Sequence, residues 1–134
     1  MEQEQTLNPK LETLNKSQTQ NPKRYDLGDR TLRFAKSVMD YIQALPRTMA
    51  NMEHGRQLIR SSGSVGANYI EAEEALSKKD FVLRIKISRK EAKESRYWLI
   101  LSEPNAERNN EKDGLIQEAT ELMKIFGSIV EKSK

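Results

Sequence analysis

The sequence predicts an all-α protein, an up-and-down antiparallel four-helix bundle that follows a polar N-terminal tail. Three observations lead there. Four separate stretches repeat apolar residues at steps of three and four, as a helix with one buried face requires. Prolines, capping residues and polar runs separate them at short intervals, and a short connection can only return the chain beside itself. No stretch alternates with the period of two that a half-buried strand needs.

Composition sets the limits. The chain has 134 residues, the size of one domain. Hydrophobic residues make up 36% and charged residues 32%, which points to narrow apolar stripes on highly charged helices, plus a segment outside the core. There is no cysteine, so disulfides, thiolate metal sites and thiol catalysis are excluded. No apolar run approaches the roughly 18–20 residues that span a bilayer. The N-terminus shows no apolar signal region, so the expected compartment is the cytoplasm, with no membrane partner.

Residues 1–27 are rich in Gln, Asn, Thr and Lys, with isolated Leu7, Leu11 and Leu14 and two prolines, Pro9 and Pro22. They read as a disordered polar tail, and 28–134 as the bundle. The first helix is expected to start near Asp29, whose carboxylate can accept from the free N–H groups of the first turn. Leu32, Ala35, Val38, Met39, Ile42 and Leu45 form its stripe, and Pro46 ends it. The second helix begins around Asn51, with a stripe of Leu58, Ser62, Val65, Tyr69, Ala72 and Leu76, widened by Ile59, Gly66 and Ile70. Its centre, Ser61 to Ala67, is a poor helix former, since each interior glycine costs about 1 kcal/mol relative to alanine. A loop there is the competing reading, but the stripe runs through in phase. Small residues at Gly63 and Gly66 would then admit a close neighbour.

Ser77-Lys78-Lys79-Asp80 has the form of a capping box and opens a third helix with the seam Phe81, Ile85, Ser88, Ala92, Ser95 and Leu99, closed by Pro104. A polar loop from Asn105 to Asp113 is expected next. Leu115, Ile116, Ala119, Leu122, Met123, Phe126, Ile129 and Val130 make the fourth stripe.

Catalytic chemistry finds little support. A di-iron bundle needs inward glutamates and Glu-x-x-His pairs, whereas the chain has one histidine, His54, with Asn51 three residues before it. Glu71, Glu73 and Glu74 have no second histidine helix to meet. No glycine-rich phosphate loop is present. The expectation is a protein that is not an enzyme and carries no metal or cofactor.

The charges are more informative. Between Lys78 and Trp98 stand eight basic residues (Lys78, Lys79, Arg84, Lys86, Arg89, Lys90, Lys93 and Arg96) against three acidic ones, Asp80, Glu91 and Glu94. That surplus exceeds the +3 of the whole chain. Lys86, Arg89, Lys93 and Arg96 step by three, four and three, each one residue after a seam position, and Lys90 joins them. Arg56 and Arg60 would extend the patch if their face lay alongside. Such a stripe can track phosphates, with binding that falls steeply as salt rises. The plainer alternative is a solvated face whose cations pair with acids such as Glu71, Glu73 and Glu74. Of the adjacent Tyr97 and Trp98, one should pack and the other stay partly exposed. Asn68 and Glu71 read as members of a hydrogen-bond network between helices.

The run Gln57-Leu-Ile-Arg-Ser-Ser-Gly-Ser-Val-Gly-Ala-Asn-Tyr-Ile-Glu71-Ala72 resembles the signature of four-helix-bundle proteins encoded in intervening sequences of bacterial 23S rRNA genes. The Ser77-to-Phe81 start and Trp98-Leu99 fit it too, and the resemblance covers about Tyr25 to Lys132. Two positions depart from it: Gly63 stands where the family usually has alanine, and Ala72 where it usually has glycine. The resemblance implies a cytoplasmic bacterial bundle, commonly a ring-shaped homopentamer, and it supplies no catalytic residues. A related branch, the accessory protein of diversity-generating retroelements, is a basic bundle that binds a reverse transcriptase and nucleic acid.

Two functions therefore compete. One is an oligomeric binding protein that presents Lys86, Arg89, Lys90, Lys93 and Arg96 to RNA, DNA or a nucleic-acid enzyme. The other is a protein–protein scaffold without nucleic-acid binding, assembled through Gly63, Gly66, Asn68, Glu71 and Trp98.

Overall fold

In a computed structural model, residues 26–134 are described, so the expected tail lies outside the described residues except for Asp26 and Leu27 at its end. Among the described residues the chain forms four α-helices and no strand: α1 Leu27–Gln43, α2 Met49–Glu73, α3 Lys78–Leu101 and α4 Asn109–Lys132, with a 3-10 turn Ala106–Arg108 before the last. Thr31–Lys134 forms one compact unit.

Each start has a local cause. Asp26, not Asp29, opens α1. Its Oδ1 accepts from the Gly28 N–H at 2.9 Å, and its carbonyl accepts from Arg30 N–H at 3.0 Å. Asp29 instead sits in the first turn, where negative charge suits the helix dipole. Thr48 caps α2 by accepting from Asn51 N–H at 3.1 Å, and Ser77 caps α3 by accepting from Asp80 N–H at 3.0 Å. The helix α2 runs unbroken through Ser61–Ala67. Ser61 and Ser62 turn their hydroxyls back onto the Leu58 and Ile59 carbonyls, so neither polar group competes with the helix from outside. The expected loop before the fourth helix is shorter than its polarity implied. Residues 109–113 are already helical, because a solvated first turn tolerates polar side chains and an Arg108–Glu111 ion pair at 2.8 Å braces it.

Cross-helix pairs fix the topology. Gly55 meets Ile42 and Gly66 meets Thr31, so α1 and α2 are antiparallel. Between α2 and α3, Ser61 pairs with Ser95, Val65 with Ser88 and Asn68 with Arg84, again antiparallel. Between α3 and α4, Arg96 bonds Thr120 and Arg89 lies over Gly127. The result is an up-down-up-down bundle, with Phe34, Val38, Tyr41, Leu58, Val65, Ile85, Leu99, Leu122 and Phe126 in the core.

Burial matches the expected seam of α3 at Ile85, Ser88, Ala92, Ser95 and Leu99. In α1 it matches only in part: Val38 and, just past the helix end, Leu45 are buried as expected, whereas Thr31, Phe34 and Tyr41 complete the buried row and Leu32 and Met39 are each 48% exposed. The two large rings bury more apolar area than the leucine and methionine would, so they take the centre. Leu76 lies beyond the end of α2 and is exposed.

Two polar clamps close one end of the bundle. The Tyr41 hydroxyl and Ser102 Oγ lie 2.6 Å apart, and burial raises the Tyr41 pKa above its ordinary value. Asn51, 4% exposed, donates to the Pro46 and Glu103 carbonyls at 3.0 and 2.9 Å and accepts from Glu103 N–H at 2.9 Å. It therefore ties the α1–α2 connection to the α3–α4 connection. Asn51→Leu removes these bonds and strands the groups that made them, so we expect a loss of about 1–3 kcal/mol in urea unfolding; unchanged stability would show that the clamp contributes nothing.

Candidate nucleic-acid interface

The basic residues of α3 divide by where the helix points them. Lys86, Lys90 and Lys93 are exposed and form the outward row, at steps of four and three. Arg89 and Arg96 are half-buried at its edge. Arg96 Nε donates to Thr120 Oγ1 at 3.1 Å, and Arg89 lies across α4 where a Cβ on Gly127 would stand 3.7 Å from its Nη1. Among the described residues, Lys86, Arg89, Lys90 and Lys93 make no salt bridge.

The acids of the same helix point elsewhere. Glu91 is buried and Glu94 half-buried, both toward α2. There Arg60 meets Glu91 Oε1 at 3.5 Å through Nη1, and Glu94 through Nη2. Glu94 also accepts from Trp98 Nε1 at 3.0 Å. That bond, with the Arg60 partnership behind it, holds the Glu94 carboxyl below the ordinary carboxylate range. Only Asp80, in the first turn, adds an acid to α3 away from this network. The outward row is therefore cationic, although Lys90 also acts electrostatically on Glu94.

Arg60 is thus committed within the protomer, and Arg56 lines a groove with Ile42, Leu45, Met52 and Ile59 between α1 and α2. Gly66 serves the protomer, since a Cβ there would meet Thr31 Oγ1 at 3.0 Å, whereas Gly63 faces open space with nothing within 4 Å. Asn68 bridges helices, accepting from Arg84 Nη1 at 3.0 Å and donating to the Ser64 carbonyl at 2.9 Å. Glu71 is exposed rather than part of a buried network, and with Glu74 it borders Asp80 and Arg84.

Trp98 is half-buried. It stacks on His54 at 5.7 Å between ring centroids and takes the edge of Tyr97 at 5.0 Å. The His54 Nδ1 atom is buried without a hydrogen-bond partner. Among the described residues no group of three or more His, Asp or Glu side chains is placed to hold a metal ion, and no helix is long and apolar enough to cross a membrane.

This four-helix frame can be set against known proteins. The family model described as 23S rRNA-intervening sequence protein matches residues 23–128. The chain belongs to that family. A solved relative, from Bacteroides thetaiotaomicron, is described as a protein with unknown function from the S23 ribosomal protein family. It is 31% identical, with a TM-score of 0.66, over 77% of this chain and 96% of that one. No curated protein matches. The α3 lysine row and the Arg60–Glu91–Glu94 network thus belong to a member of the 23S rRNA-intervening sequence family.

The chain's one tryptophan reports on the network. Because the folded Glu94 pKa is lowered, its contribution is fully present above the unfolded carboxylate pKa and is lost as pH falls through the folded value. Trp98 emission should therefore titrate below the ordinary carboxylate range, and Glu94→Gln should flatten that step; an unchanged titration in the variant would assign it to another group.

Proposed function

We propose that this family member is a non-enzymatic, cytoplasmic binding protein that self-associates and holds nucleic acid on the outer face of α3. The observation that carries the reading is the row Lys86, Lys90 and Lys93, exposed and without salt bridges, on a helix whose Glu91 and Glu94 are bound by Arg60. Free ammonium groups in line can exchange their counterions for phosphates, which drives binding from the entropy of ion release. Arg89 and Arg96 flank the row and widen the positive field. A reverse transcriptase or another nucleic-acid enzyme, as in the related retroelement branch, is the protein partner this face would serve.

Self-association has its own support. Met52, Ile59 and Ile70 are about half exposed on α2, with Gly63 and Ala67 exposed between the isoleucines. Apolar side chains flanking bare backbone suit close approach by a second copy, and a five-copy ring is the assembly proposed. The same surface favours the alternative reading, a scaffold with no nucleic-acid binding.

Two measurements separate these. Reversing Lys86, Lys90 and Lys93 together to glutamate should weaken binding of a labelled oligonucleotide at least about tenfold near physiological salt, with helicity unchanged; full affinity in the variant would make the row irrelevant. Gly63→Trp, whose side chain enters open space in the protomer, should lower the mass seen by light scattering without unfolding the chain. A wild-type protein already at protomer mass would refute self-association.

A further inference from the structure

The lysine row does not end in lysine. Continuing its steps of four and three, Lys86, Lys90 and Lys93 are followed by Tyr97, which is 57% exposed. At about 1.5 Å per residue the four side chains span roughly 16 Å along α3. Tyr97 is the only aromatic among the exposed large apolar residues of the described chain, and its ring is not free to wander. Its edge-to-face contact with Trp98 is 5.0 Å between centroids at 74°. Trp98 is in turn fixed by its bond to Glu94 and its stack on His54. A polar network thus braces an aromatic ring in the open at the end of a cationic row.

An exposed aromatic ring offers a flat apolar face on which another ring can stack. In a duplex the base faces are hidden in the stack. Lysines neutralise the phosphates of duplex and single strand alike, so the lysine row does not choose between them, and the exposed Tyr97 ring at its end does. Unpaired bases do offer their faces, and stacking on aromatic side chains beside a basic track is how single strands are held without reading sequence. Resting on the proposed function above, we infer that this face takes single-stranded or locally unpaired nucleic acid, with phosphates along Lys86, Lys90 and Lys93 and a base stacked on Tyr97.

The test titrates the full chain with a labelled single-stranded oligonucleotide, as RNA and as DNA, and with the blunt duplex of the same sequence. It follows polarisation and Trp98 emission together. Single strands should bind more tightly than duplex at equal salt and change Trp98 emission, since Trp98 touches Tyr97. Tyr97→Ala should lose about tenfold on single strands and little on duplex, and Tyr97→Phe should keep the wild-type values. Tyr97→Gln, which keeps a polar side chain at an exposed helical position, repeats the loss should the alanine variant unfold. Duplex binding as tight as single-strand binding, or unchanged single-strand affinity in Tyr97→Ala or Tyr97→Gln, would overturn the stacking inference and leave the cationic reading standing. No binding of either form would overturn both.

Discussion

The seam between α2 and α3 sets which side chains of α3 face outward. It is built from small and hydroxylated residues. Ser61 and Ser95 share a hydrogen bond at 2.9 Å, and Ser88 donates to the Val65 carbonyl at 2.9 Å. Ser61, Ser88, Ala92 and Ser95 are fully buried. Buried hydroxyls must keep their partners, so rotating or sliding α3 against α2 would break bonds as well as contacts. An apolar seam of leucines tolerates such slippage far better. Chemistry therefore specifies one rotation of α3, and that rotation decides which side chains it presents.

The same rotation sorts charge. Glu91 and Glu94 turn to α2 and meet Arg60, while Lys86, Lys90 and Lys93 turn away. In stability the half-exposed Arg60 pair counts for little, since such ion pairs contribute about 0–1 kcal/mol. Its larger effect is on the field. Two carboxylates that would otherwise offset the lysine row are engaged by a cation on another helix. A polar network that looks structural thus determines what the surface can bind.

Much of this was legible in the sequence. The α3 seam could be read because its apolar and small residues hold one phase from Ile85 to Leu99, and a stripe in phase is a stripe on one face. The α1 row was read about one position off, since Leu32, Met39 and Ile42 mark a second stripe beside that of Phe34 and Tyr41, and period alone does not rank two adjacent stripes. Gly63 and Gly66 look alike in the sequence, but one faces open space and the other lies against Thr31. Arg60 and Glu94 lie 34 positions apart, so their pairing depends on packing rather than on local spacing. In the sequence Asn51 reads only as the start of the second helix and as a missing glutamate. Its three bonds to two connections have no local signal, because both partners are backbone groups brought there by the turns. The lysine row itself was visible, but its separation from Arg89 and Arg96 required α4 in place.

The central claim is that α3 presents an exposed cationic row to a polyanion. Lysine acetylation measured by mass spectrometry, with and without bound oligonucleotide, tests it most directly. The account predicts protection concentrated at Lys86, Lys90 and Lys93, with Lys36 and Lys132 modified at the same rate in both states. Protection centred on those other lysines, or none on α3 while the oligonucleotide is bound, would contradict it.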